Sequence, residues 1–534
     1  MKRIALITAL ILVAGAALWS GLWFAGRGSL EARLDLEADR LAQAGIAITW
    51  EGAETGGYPA GYELALSGID IETTEFAARL PRLDIAIGAE DPDSLAVVFP
   101  RSFTLRVKGE TERLFEIEAD ALTATVSEAG GNPAVDLAAI SVLAVHKPVQ
   151  DASEASATVI PGLEGLAGEL VSLKGRLMTE GPEARLSLSA ERLETVITGE
   201  GQRGPAEDRF RYTIDAIAER PLLTGRVTLS GRPLVGALAA GLSGLPVRAT
   251  LQTGPTETVL ATAPSEGAAA VSSDGRLVLA HGSVATLVEI EPGHLDAAST
   301  FEALRLTLDP ASETARLRGP IAINRLDLAY AAPTDPDAGM GPLRLRLAAA
   351  EIAPDPALWD ALDPEAALDR APMELVLELT GTMRLAGPDA PLPAEIGTLE
   401  IVNAHLGALG ASLDATGAVE FLQPQMLPIG AVELRLFETM PMLRDLVVAG
   451  LLQPEAAEAA MLLAANYTEA GERPEELTAT IDFAETGISL NGLPLAGPVG
   501  AQPTPRELYA PPPPAAPDDT PVDDSDPQEP PAPQ

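Results

Sequence analysis

The sequence predicts a mainly β protein: an elongated, curved antiparallel sheet or sheets with a few inserted helices, an N-terminal transmembrane helix and a disordered C-terminal tail. Three observations predict it. Short runs of alternating apolar and polar residues recur from Ile46 onward between Gly, Asp, Asn and Pro punctuation. An uncharged apolar run opens the chain, and from Pro511 to Gln534 there are ten prolines and six acidic residues with no basic one.

The opening run extends from Ile4 to Gly26 behind Lys2 and Arg3. At 1.5 Å per helical residue it reaches about 34 Å, enough for a bilayer core. Trp19, Trp23 and Phe24 lie toward its far end, where interfacial aromatics sit. Residues 1–27 therefore read as a single-pass inner-membrane anchor with the rest of the chain in the periplasm. A cleaved signal peptide ending near Ala14-Gly15-Ala16 is the rival reading, although its apolar region would be shorter than this run.

Residues 28–45 are expected to form a linker helix, with Ser29 as N-cap, Leu30, Leu34 and Leu41 on one face and Gly45 as its stop. The body follows over 46–500, with room for two sub-domains divided near 220–250. Its strands are expected at Tyr62–Leu66, Phe76–Ile87, Ser102–Val107, Leu114–Val126, Ala184–Ala190, Gly225–Ser230, Arg276–Ala280, Ala315–Ile323, Pro342–Ala348, Met373–Leu379, Gly397–Ile401 and Ala431–Leu436. Frequent strands without regular βα alternation point to antiparallel pairing. Beyond Ser67 the apolar parity moves from Tyr62, Leu64 and Leu66 to Ile69 and Ile71, which predicts a bulge or bend at Gly68. Helices are expected at 161–171, 232–242 and 354–370, and as a hairpin over 440–467 split by Gly450 and Pro454. Residues 501–534 are expected to be a disordered acidic tail.

Composition excludes several function classes. The chain has 77 acidic against 36 basic residues, a formal charge of -41, so its field repels nucleic acid. Aromatics are 4% of residues, too few for base-stacking platforms. There is no cysteine, which removes disulfides, thiolate metal sites and Cys nucleophiles. No phosphate loop, HExxH motif or nucleophile elbow occurs. The histidines His146, His281, His294 and His405 are far apart in sequence, and none pairs at i, i+4. Asp335-Pro336-Asp337-Ala338-Gly339 begins like a calcium loop, but Arg346 occupies the position where an EF-hand needs Glu. Asp518-Asp519 and Asp523-Asp524 read as solvated acid. Asn466-Tyr467-Thr468 fits a glycosylation sequon, discounted in a bacterial-looking protein. Arg344 with Arg346, and Arg209 with Arg211, share strand faces where they meet either carboxylates or a phosphate headgroup. No catalytic residue, cofactor or metal ligand is assigned, and an enzyme is not expected.

A resemblance adds to this reading. Trp50, then Gly57-Tyr58-Pro59, then Tyr62-Glu63-Leu64-Ala65-Leu66, follow the hydrophobic N-terminus. Near the other end come Asn403–Phe421, Met440–Tyr467, Ile481-Asp482-Phe483-Ala484-Glu485-Thr486 and Gly487–Pro494. In these features the chain resembles an uncharacterised alphaproteobacterial family, the domain of unknown function 2125, to which no catalytic residue is attached. Its architecture is more loosely similar to AsmA-like envelope proteins, which implies a role in lipid handling or envelope assembly. The expected partners are the membrane and either lipid or envelope proteins. The alternative is a structural module that contacts other envelope proteins through its acidic surface and tail. An open apolar groove would favour the first reading and a sealed two-layer core the second.

Overall fold

Alternation dominates the body, so each strand carries one apolar and one polar face, and neighbouring strands pair side by side. The computed structural model describes residues 32–496, except 33, 58–60, 89–93, 109–112, 130–131, 148–162, 204–207, 230–244, 265–274, 311–318, 336–338, 386–393, 423–425, 472 and 474. The anchor at 1–27, the helix expected at 232–242 and the tail at 501–534 lie outside the described residues. Among the described residues no helix is long and apolar enough to cross a membrane.

The described strands form one 29-stranded sheet in which every pairing is antiparallel. Its order is that of a meander from Gly319–Pro333 to Ala411–Leu422, whereas before it pairings skip strands, as where Glu183–Ser189 pairs with Leu222–Thr228 and Asp208–Glu219 with Thr256–Pro264. Phe76–Gly88 pairs back with Gly61–Glu72, Leu163–Glu180 with Asn132–Lys147, and Gly319–Pro333 with His294–Pro310. The ladder is continuous from Leu222–Thr228 to Val247–Thr253. The expected alternating runs lie on strands, apart from end residues and from 315–318, which are not described. Leu114–Val126 is corrected: it is two strands, Arg113–Asp120 and Thr123–Ala129, separated at Ala121, whose φ is 53°.

A crease crosses the sheet at right angles to the strands. Within Gly61–Glu72 the parity of burial changes at Gly68, from Leu64 and Leu66 to Ile69, as expected. Gly68 has φ +58°, and the pairing with Phe76–Gly88 keeps its register, so the feature is a bend without an inserted residue. The opposite strand changes parity with it: Leu83 and Ile85 face Leu66 and Leu64, whereas Leu80 and Ala78 face Ile69 and Ile71. Proline at 81, with no N–H to donate, occupies the position across from Gly68.

Comparable switches occur at intervals, within strands at Ser172, Ala303 and Glu351 and between strands at Arg220, with a bulge at Glu351 against Met373–Leu385. Ser172, Arg220, Ala303 and Glu351 all have positive φ, between 49° and 56°. Ser172 lies opposite Ile140, which points outward and is 60% exposed. Ala303 lies opposite Asn324, and Asn324 opposite Glu351. Each non-glycine residue held left-handed costs roughly 1–2 kcal/mol. Together they fold the sheet into a trough with two walls, and buried apolar residues along the crease include Ile69 at 1%, Leu80 at 2% and Leu304 at 5% exposure.

This geometry explains the one expected helix that the structure overturns. Residues 161–171 belong to the strand Leu163–Glu180, not to a helix. Leu163, Leu166, Leu170, Leu173 and Leu177 are spaced three, four, three and four apart, which is helical spacing. In the strand, Leu166 and Leu170 face inward on one wall, and Leu173 and Leu177 face inward on the other, because parity inverts at Ser172. A creased strand thus imitates a helix in sequence.

The other helices sit at the margins. Helix 34–43 lays Leu34 on the core formed by Leu64, Leu66, Ile69 and Leu80. The helix expected over 354–370 is shorter, Pro356–Leu362, with Asp355 Oδ1 accepting from Ala357 N–H at 2.9 Å as its N-cap. Leu358 and Trp359 are buried, and Leu358 rests beside Gly319 at the end of its strand. The chain beyond it winds around Asp363, which is fully buried and accepts from the N–H groups of Ala367 and Leu368, both at 2.9 Å. The expected hairpin is present as Thr439–Val448 and Pro454–Tyr467.

Candidate functional site

The inner face of the trough is the candidate site. One wall carries an apolar row in direct cross-strand register: Leu64, Ile85, Val97, Ala124, Leu137, Gly175, Leu188, Leu223 and Leu251. It continues through Thr286, Ser299, Leu328, Leu347, Leu377, Ala404, Ala415, Leu434 and Ala479. None of these residues is charged. At roughly 4.8 Å between neighbouring strands, the row is about 80 Å long. The other wall carries a second uncharged row: Phe103, Ile117, Ala144, Gly168, Thr195, Ala216, Thr258, Leu279, Leu306, Ile321 and Pro354.

Exposure varies along the inner face, and a second buried cluster of Ala184, Leu229 and Leu245 lies away from the crease. Leu251, Leu328 and Leu406 keep 39%, 38% and 42% of their surface, although all three are on the inner face. A sealed core would bury them, so this face is open. At the N-terminal end a pocket of about 170 Å³ is lined by Leu34, Tyr62, Leu64, Ile85, Ile87 and Leu95, with Glu37 at its edge. Helix 34–43 overhangs this end of the trough.

The few polar side chains inside are satisfied locally or kept neutral. Thr286 Oγ1 and Ser299 Oγ are 3.0 Å apart and hydrogen-bond to each other. His281 lies at the crease, 8% exposed, edge-on to Phe301 at 5.6 Å between ring centroids. Burial pushes its pKa below the ordinary histidine value. His146 stands edge-on to Phe115 at 5.5 Å, and burial, with Arg113 adding repulsion, lowers its pKa as well.

The outer face carries the charged side chains, with Val98, Ile140, Val196 and Ile217 exposed among them. Arg248 pairs with Glu289 at 3.0 Å, Arg346 with Glu378 at 3.1 Å, and Lys147 with Glu116 at 3.0 Å. His405 lies between Asp414 at 2.6 Å and Glu374 at 3.0 Å. Asp414 raises its pKa most, against partial burial, and Glu374 raises it further.

The structure does not gather the histidines: His146 and His281 face inward on separate strands, and His405 faces outward. Among the described residues no group of three His, Asp or Glu side chains could hold a metal ion. Of the calcium-like loop, residues 336–338 lie outside the described residues. Of the arginines expected to meet carboxylates or a phosphate, Arg346 pairs with Glu378, and Thr468 of the sequon caps the helix Pro454–Tyr467 by donating to Ala464 O at 2.6 Å. The residues that sequence reading missed are those of the strand Leu163–Glu180 and the partners of its row, such as Leu188 and Leu251. A signal was present in each wall's alternation, but a search for one unbroken parity passes over it.

A family model described as an uncharacterised protein conserved in bacteria matches the chain over residues 23–277 and 236–498. No curated protein and no solved structure matches the chain. Those two segments span nearly the whole described body, so the chain belongs to the domain of unknown function 2125 family.

Proposed function

We propose that the protein binds the acyl chains of lipids along its trough, as a periplasmic body tethered to the inner membrane by residues 1–27. One observation carries this reading: two uncharged rows continue across the inner face, and leucines on that face remain more than one-third exposed. An apolar surface of this extent is costly to leave in water, and a contiguous exposed apolar patch marks a binding site. Each methylene that an acyl chain buried there would contribute about 0.8 kcal/mol. The headgroup would stay at the rim, because the inner rows offer no charged partner. The alternative of a purely structural module fits a sealed core, which half-exposed Leu251 and Leu328 argue against.

The test is to extract the purified full-length protein and identify bound lipid by mass spectrometry, then to titrate it with a fluorescent fatty acid. Leu251→Asp with Leu328→Asp is expected to weaken binding at least tenfold. Ile140→Asp, a charge placed on the outward side, is expected to leave it unchanged. Absence of copurified lipid together with no saturable fatty-acid binding overturns the proposal.

A further inference from the structure

The outer face holds a second feature that the trough does not use. Arg185, Arg226 and Arg248 stand directly opposite one another on three adjacent strands. One alternation further along, in the same three strands, are Ser187, Thr224 and Thr250, also in register, and Arg176 on the neighbouring strand faces Ser187. These seven side chains line a depression of about 420 Å³. The small hydroxyl residues leave the space, and the guanidiniums border it.

Like charges placed directly across a ladder are destabilising. Here three occur in succession on a chain with only 36 basic residues against 77 acidic ones. Carboxylates offset them from outside the depression. Arg185 meets Glu180 at 2.9 Å, and Arg248 meets Glu289 at 3.0 Å. Glu183 is shared between Arg185 at 3.6 Å and Arg226 at 3.4 Å, and Asp136 lies 3.7 Å from Arg176. These four carboxylates do not line the depression. The shared and long contacts use little of the donor capacity of guanidiniums that each carry five N–H groups. The four arginine side chains remain between 43% and 64% exposed.

We propose that this depression binds a phosphate group, supplied either as inorganic phosphate or as the phosphate of a lipid headgroup. The guanidiniums provide forked donors for two phosphate oxygens at a time, and the hydroxyls provide further donors beneath them. The site lies on the opposite face from the trough, so it stands or falls independently of acyl-chain binding.

The experiment uses the full-length protein at low ionic strength. Inorganic phosphate is titrated by calorimetry, and so is soluble dihexanoyl phosphatidic acid, with dihexanoyl phosphatidylcholine as the control. The anchor is held in detergent micelles for the titration, and Arg226→Gln/Arg248→Gln is compared with the wild type in both arms. Saturable phosphate binding that falls at least tenfold in the double variant supports a free-phosphate site. Binding seen only with phosphatidic acid, and lost in the double variant, supports a headgroup site. Arg346→Gln, which breaks a comparable outer-face ion pair, is expected to change neither. If the wild type binds in neither arm, or the double variant binds as well as the wild type, the arginines form an ion-pair ladder only and the proposal is overturned.

Discussion

Gly68 packs so closely against Glu51 that a Cβ added at Gly68 would fall 2.5 Å from the Glu51 carboxyl carbon. Gly68 is also left-handed, at φ +58°. These two facts make separate demands, one steric and one conformational.

Gly68→Ala is therefore expected to destabilise the protein by roughly 1–2 kcal/mol from the backbone alone. The Glu51 side chain is flexible and can move aside, so adding Glu51→Ala should recover only the smaller, steric part. Ala303→Gly, at a left-handed position already held by a side chain, should be neutral or mildly stabilising. Urea midpoints of the four proteins check this, and a fully rescued double variant would show that the bend does not need glycine.

The different exposures of Leu304 and Leu328 predict unequal costs for equal truncations. Leu304→Ala, at the crease with 5% exposure, should cost about 2–4 kcal/mol. Leu328→Ala, on the open wall with 38% exposure, should cost less than about 1 kcal/mol. Equal shifts in the denaturation midpoint would mean that the trough is closed.

His281 makes the crease sensitive to acid. Its pKa is lowered by burial, so the unfolded chain takes up the proton first. Its contribution to stability is complete above the unfolded histidine value of about 6.5 and is lost as pH falls toward the native value. His281→Phe, beside Phe301, should flatten the stability profile in this window. Thermal melts between pH 7.5 and 4.5 decide it.

His405 works in the opposite direction. Its pKa is raised, mainly by Asp414 and then by Glu374, with partial burial opposing them. The stability it confers is complete below about 6.5 and is lost as pH rises through the raised native value. His405→Gln should remove a decline on the alkaline side and leave the acid limb intact. A direct readout is the His405 ring titration by NMR, where a midpoint at or below the ordinary histidine value contradicts the assignment.

Much of the fold was readable because alternation is a local property. Phe76–Gly88 and Met373–Leu385 show their period in a few residues, and Pro454 marks the start of its helix by itself. The bend at Gly68 was readable because glycine and the change of apolar parity coincide there. At Ser172, Ala303 and Glu351 no glycine marks the left-handed residue, so the crease could not be seen as a line. The leucines around Ser172 consequently take helical spacing in a strand. The candidate site was less legible still, since its rows are defined by register across many strands. Leu188, Leu223 and Leu251 become neighbours only once the ladder is built.

The meander makes the C-terminal part of the trough an additive object. From Gly319–Pro333 to Ala411–Leu422 each strand is hydrogen-bonded only to its sequence neighbours. Inserting or deleting one hairpin would therefore lengthen or shorten the trough by roughly 10 Å while leaving its width and wall chemistry alone. The number of hairpins acts as a ruler: gene-level gain or loss of a two-strand unit would tune reach in fixed increments, much as floorboards set the length of a walkway.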